Sequence, residues 1–168
     1  MDFGKSTAKI LGMNDAVWQR HANPLSGWSR VLTLPLLTIS IWSRVWLEWW
    51  ALLPIAFVIL WIWLNPRLFP EPKSTNNWMS KGVLGERVWL NKNNVPIPAH
   101  HKAVALYLNI LTGSGVIPFA IGIIQLNVWA SALGLAIMMI GKLWFLDRMV
   151  WLFQDMKEQN ERYKSWLR

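Results

Sequence analysis

The chain has 168 residues, of which 54% are apolar and only 15% charged, and its formal net charge is +8. A soluble domain carries nearer a quarter of charged residues. Here Lys and Arg flank long apolar runs, so anionic lipid rather than nucleic acid is the expected counter-charge. The absence of cysteine excludes disulfides, thiolate catalysis and Cys-ligated metal.

In chain order, Asn14 is expected to cap a short helix through Val17 and Trp18 that ends before Asn23 and Pro24. With Ile10 and Leu11 upstream, that helix suits the membrane surface. Four apolar stretches follow, at about 28–45, 49–64, 104–126 and 128–153. The first begins too far in for a cleaved signal and is expected to serve as its own. A spanning helix needs roughly 20 residues. The last two stretches meet that; the first two are short, which suggests a tight hairpin or a thin or re-entrant arrangement. The fold expected is all-α, a single four-span transmembrane helical bundle with interfacial helices.

Between the second and third spans, 65–103 is longer than a simple connection needs. Trp78, Val83, Leu84, Val88, Trp89 and Leu90 predict an amphipathic helix at 78–90, lying in the interface. In the tail, 154–168, Lys157 with Glu161 and Glu158 with Arg162 stand four residues apart. That spacing predicts the fourth span running on as one long helix.

The turns at 43–48 and 125–127 carry one cation between them, Arg44. Lys5, Lys9, Arg20, Arg30, the cations of 65–103 and those of the C-terminal tail lie on the other side. By the positive-inside rule both termini and the central loop face the cytoplasm, with the plasma (inner) membrane expected. The 14 tryptophans agree. Trp42, Trp46, Trp49, Trp50 and Trp129 form an outer belt; Trp28, Trp61, Trp63, Trp144 and Trp151 form an inner one.

The chemistry-bearing residues gather on the inner side. Asn23–Pro24 and Asn65–Pro66 read first as helix breaks. Two such breaks would bring Arg20, His21, Arg30 and Arg67 together beside the headgroups, where arginine forks match phosphate oxygens. The ligand-binding candidates are Arg20, Asn23, Arg30, Asn65, Arg67, Arg87, His101, Asp147 and Arg148. The acid/base candidates are His21, His100 and Glu86. This reading requires His21, Arg67, Glu86 and His100 to share one pocket. His100 and His101 are helix neighbours and point about 100° apart; His21, one of the pair and Glu86 or Asp147 would make a facial triad, but nothing in the spacing demands it, so no metal is assigned and the cofactor is left open. Lys142, six residues or about 9 Å inside Arg148, is expected to snorkel to the inner face. The sharper alternative pairs it with a ligand or an intramembrane acceptor. Gly113, Gly115 and Gly122 on the third span, with Ala130, Gly134 and Gly141 on the fourth, permit close helix approach. The Gly134/Gly141 face is also a possible homo-oligomer contact.

Three motifs carry a resemblance. They are Trp18-x-Arg20-His21-x-Asn23-Pro24-x-Ser26-x-Trp28-Ser29-Arg30, then Asn65-Pro66-Arg67-x-Phe69-Pro70, then Gly85-Glu86-x-x-Trp89. The sequence resembles an uncharacterised family of small Trp-rich membrane proteins, a domain of unknown function. The resemblance implies a membrane fold over most of the chain and no activity. The functional expectation is a cytoplasmic-interface site that binds or processes an amphiphilic, anionic-headed ligand, with membrane lipids as partners. The alternatives are a non-catalytic assembly factor or subunit, and an oligomeric channel or transporter. The last is weakest, because the spans hold few midplane polar groups.

Overall fold

The computed structural model describes residues 14–168, and every regular element among them is helical. Short helix α1 (Asp15–His21) is capped as expected, the Asn14 side chain accepting from the Val17 amide at 2.9 Å. Ile10, Leu11, Lys5 and Lys9 lie outside the described residues. Then come α2 (Pro24–Val31), α3 (Thr33–Trp42), α4 (Arg44–Leu47), a 3-10 turn (Glu48–Ala51) and α5 (Leu52–Leu68). Beyond them lie α6 (Trp78–Leu90), α7 (Ala99–Ser114), α8 (Val116–Gln125), α9 (Val128–Lys157) and α10 (Glu161–Lys164).

Proline places several of these boundaries. Its ring clashes with the carbonyl four residues back. Pro35 stands four residues after Val31, where α2 ends, and Pro118 four after Ser114, where α7 ends. Asn65–Pro66 behaves otherwise. The sequence suggests a break there, but α5 continues through it to Leu68. The terminating proline is Pro70: Phe69 before it is extended, at φ −82° and ψ 142°, as the residue preceding a proline prefers.

Three helical runs are long and apolar enough to cross a membrane: Pro24–Leu68, Ala99–Gln125 and Val128–Lys157. The first is not one rod. Glu48 takes a positive φ of 48°, and beyond it α5 packs back along α3. The four separate stretches of the sequence are therefore three apolar runs here, the first folded into a hairpin. The α7–α8 pair and α9 form a second hairpin. Its turn is capped by Asn127, which accepts from the Ala130 amide at 3.0 Å.

The two ends of the molecule are packed by different rules. In the apolar runs few residues are buried, and Leu, Ile, Phe and Trp point outward: Phe57, Ile117, Ile124 and Trp129 are all more than 60% exposed. That is the surface a lipid solvent accepts and water does not. The contacts inside those runs use small residues. The faces of Gly115 and Gly122 meet Gly134 and Ser131, and Gly141 meets Thr112. The Gly134/Gly141 face is thus covered by α7 and α8 of the same chain, not left open for a second copy.

At the other end a water-type core forms from Val83, Leu84, Val88, Phe145, Met149, Leu152, Phe153, Met156, Tyr163 and Trp166. Helix α6 belongs to this core. It forms over the span predicted but does not lie loosely in the interface: Met79, Ser80, Val83, Leu84, Arg87 and Val88 are buried, and Gly82 and Gly85 press on α9 at Leu146 and Met149. The tail also departs from expectation. Helix α9 ends at Lys157, and Asn160 caps α10 by accepting from the Arg162 amide. The chain then folds back, Arg168 pairing with Thr75 through N–H to Oγ1 at 2.9 Å and its carbonyl receiving the Thr75 amide at 3.1 Å. Burying Tyr163 and Trp166 outweighs the few tenths of a kcal/mol that each exposed ion pair adds to a helix. Lys157 instead meets Glu158 at 3.4 Å and Lys164 meets Glu161 at 3.9 Å.

Candidate functional site

The site lies where the break between α1 and α2 meets the end of α5. Asn23 makes the break. Its Oδ1 accepts from the Leu25 amide at 2.9 Å, Pro24 opens α2, and its Nδ2 donates to the Pro70 carbonyl at 3.0 Å. One side chain thus caps a helix and ties it to the end of α5. The Ala22 carbonyl beside it accepts from Ser80 Oγ at 2.6 Å, which brings α6 against the same corner.

Along α2, Ser26, Ser29 and Arg30 share a face through three- and four-residue spacing. Opposite them Asn65, with no exposed surface, reads both serines: Ser26 Oγ donates to Asn65 Oδ1 at 2.7 Å, and Asn65 Nδ2 donates to Ser29 Oγ at 2.6 Å. Continuing α5 through Pro66 is what places this amide. The Arg30 guanidinium then reaches Ser26 Oγ at 3.0 Å, the His21 carbonyl at 3.3 Å and His21 Nδ1 at 2.5 Å. Arginine has only donors, so Nδ1 accepts and the neutral ring carries its proton on Nε2. Burial first, then the positive charges of Arg30 and Lys142, hold the His21 imidazole well below its usual 6.5. Trp18 meets the ring edge-on at 5.5 Å. His21 and Arg30 both keep some exposure.

Glu86 and Lys142 complete the neighbourhood, Lys142 Nζ donating to Glu86 Oε1 at 2.6 Å. Glu86 acts on Arg30 and Lys142 on His21 through their fields. Lys142 therefore has an acceptor rather than simply snorkelling. Among the described residues no carboxylate comes within ion-pair distance of Arg30, and one positive charge stays uncompensated.

The other candidates are elsewhere. Arg20 is exposed. Arg67 lies over the Trp63 ring at 4.3 Å and donates to the Trp63 carbonyl. Arg87 is buried between Asp15 and the Trp166 ring, 4.0 Å away, and serves the core. Asp147 accepts from Trp78 Nε1 at 3.0 Å and from Arg148 at 2.7 Å, and Trp78 stacks on Trp28 at 5.8 Å. These flank the cluster. His101 meets Asp155 at 2.8 Å, with His100 beside it. The single pocket that the sequence reading requires is not found: His21 and Glu86 are linked only through the charges of Arg30 and Lys142, Arg67 sits over Trp63, and His100 lies beside His101. Ser26 and Ser29 stand in the first motif but not among the site candidates, although their spacing from Arg30 is a readable signal; Asp155 carries none.

No curated protein and no solved structure matches the chain. A family model matches residues 3–166, which include every residue of the cluster, and the chain belongs to that family, a family of unknown function (DUF6653).

Proposed function

We propose that this is an integral membrane protein of four crossings, in the plasma membrane, with both ends and 65–103 cytoplasmic. The Arg30–His21 cluster binds the anionic head of an amphiphilic ligand there. The observation that carries the reading is Arg30, a half-buried residue whose guanidinium is held by His21 and Ser26 and, among the described residues, has no carboxylate within ion-pair distance. A charge drawn out of water is costly unless it is paired, and a phosphate or carboxylate head supplies the missing partner. The exposed apolar surface of Leu25 and Trp28 on the same helix, and of Leu32 just after it, suits the ligand's tail. The neutral His21, protonated at Nε2, offers a further hydrogen bond and is the one acid/base candidate beside Arg30. Glu86 is engaged by Lys142, and His100 stands apart.

The crossings are supported by the hairpin geometry. At 1.5 Å per residue, 24–42 and 52–68 reach about 28 and about 26 Å, the short end of the roughly 17–25 residues that cross a hydrocarbon core. The side assignment is supported by the cations.

The test is binding of a single-chain lysophosphatidate to the full chain in phosphatidylcholine nanodiscs, against the uncharged monoacylglycerol. Binding that prefers the phosphate, is weakened ten- to hundred-fold in Arg30→Gln and is largely retained in Arg30→Lys is expected, since a charged hydrogen bond is worth about 1.5–3 kcal/mol. Arg67→Gln, outside the cluster, should bind as the parent does. Equal binding by Arg30→Gln and the parent would overturn the reading.

A further inference from the structure

A second cluster of ligating side chains lies at the start of α7. Pro98 precedes the helix, and His100 and His101 fall in its first turn. Neighbours on a helix diverge by about 100°, yet these two rings have centroids 4.1 Å apart and planes tilted by 40°. The last turn of α9 brings Asp155 to them, its Oδ2 2.8 Å from His101 Nε2. One donor atom from each of the three lies within 4.8 Å of the others. His101 is 6% exposed, whereas His100 and Asp155 are open to the surroundings.

We propose that His100, His101 and Asp155 bind a divalent transition-metal ion, of which Zn²⁺ is the reference case. Two imidazoles and one carboxylate form a nitrogen-rich set that suits Zn²⁺ and its neighbours and not Mg²⁺ or Ca²⁺. Bonds of about 2.0–2.2 Å put donor atoms no more than about 4.4 Å apart, a closure within reach of a rotation of the exposed His100 ring. The ion takes the place of the hydrogen bond between His101 and Asp155. Three protein ligands leave a fourth position for water or another ligand. The buried ring and the two helix termini fix the frame. Two cations stand nearby, Lys102 and Lys157; Lys157 is turned to Glu158, at 3.4 Å.

An ordinary ion pair would use His101 and Asp155 alone and give His100 no part. His100 therefore decides the matter, and because it is exposed its replacement costs no packing. The test is calorimetric titration of the full chain, free of any polyhistidine tag, in detergent with Zn²⁺, alongside the visible spectrum of the Co²⁺ form. One equivalent is expected to bind, with His100→Ala and Asp155→Asn each weakening it tenfold or more. His100→Ala should melt with the parent when metal-free, and His21→Gln should bind Zn²⁺ like the parent. Zn²⁺ binding equally tight in His100→Ala, or no binding by the parent, overturns the proposal.

Discussion

His21 is held neutral by position rather than by any acidic partner. In the unfolded chain its imidazole takes a proton as the pH falls through 6.5, while in the folded chain burial and the charges of Arg30 and Lys142 keep it unprotonated well below that. The unfolded state therefore binds more protons across that window, and stability falls with acidification by up to about 1.4 kcal/mol per pH unit. The contribution is fully present above pH 6.5. Thermal melting of the detergent-solubilised protein at pH 7.5 and 5.5 should show a clear drop, and His21→Gln a smaller one. Equal drops would mean that His21 is not buried beside those cations. The sequence already singled out His21, Arg30, Asn23 and Asn65, because a polar residue at a helix end or before proline needs a reason. It did not show that Asn65 stays helical. Whether an Asn-Pro pair breaks a helix or rides inside one depends on what its amide can bond, and the two serines that bond it are 36 and 39 residues away.

At the scale of elements, helix existence was legible and helix partnership was not. Apolar stretches mark α5, the α7–α8 run and α9 to within about five residues, without showing the division between α7 and α8. The burial of α6 was hidden because its glycines carry no hydrophobic signal of their own. Gly82 and Gly85 let α6 lie against α9, and a methyl on Gly85 would collide with the Met149 carbonyl, which is backbone and cannot rotate away. Gly85→Ala should therefore destabilise the fold by about 3 kcal/mol, at the upper end of overpacking costs. Gly113→Ala, where nothing lies within 4 Å of the added methyl, should be neutral or slightly stabilising, since alanine is the better helix former. Melting temperatures of the two variants compare them directly, and similar values would contradict the close α6–α9 packing.

The described residues are packed in two ways, one that of a water-soluble core and one consistent with a bundle that crosses a membrane. Among the described residues the water-type core of α6, α10 and the last turns of α9 sits at the end that carries most of the charge, and outward-facing Leu, Ile and Trp cover the rest. Positive charge and hydropathy made that polarity readable from the sequence, together with a turn at 43–48 and a hairpin as one reading of the two short stretches; that Glu48 makes the reversal was not readable, because it rests on a backbone angle and not on a turn residue such as glycine. If the apolar zone is the membrane, the exposed residues Asn93 and Asn127 lie on opposite sides of it, after α6 and between α8 and α9. The chain has no cysteine, so Asn93→Cys and Asn127→Cys each provide a single label site. In intact cells a membrane-impermeant maleimide should modify Cys at 127 and spare Cys at 93, and permeabilisation should expose both. Labelling of both in intact cells, or of neither, would refute the four-crossing topology. It would leave the Arg30–His21 cluster intact as geometry but remove the cytoplasmic headgroup layer from which its ligand is proposed to come.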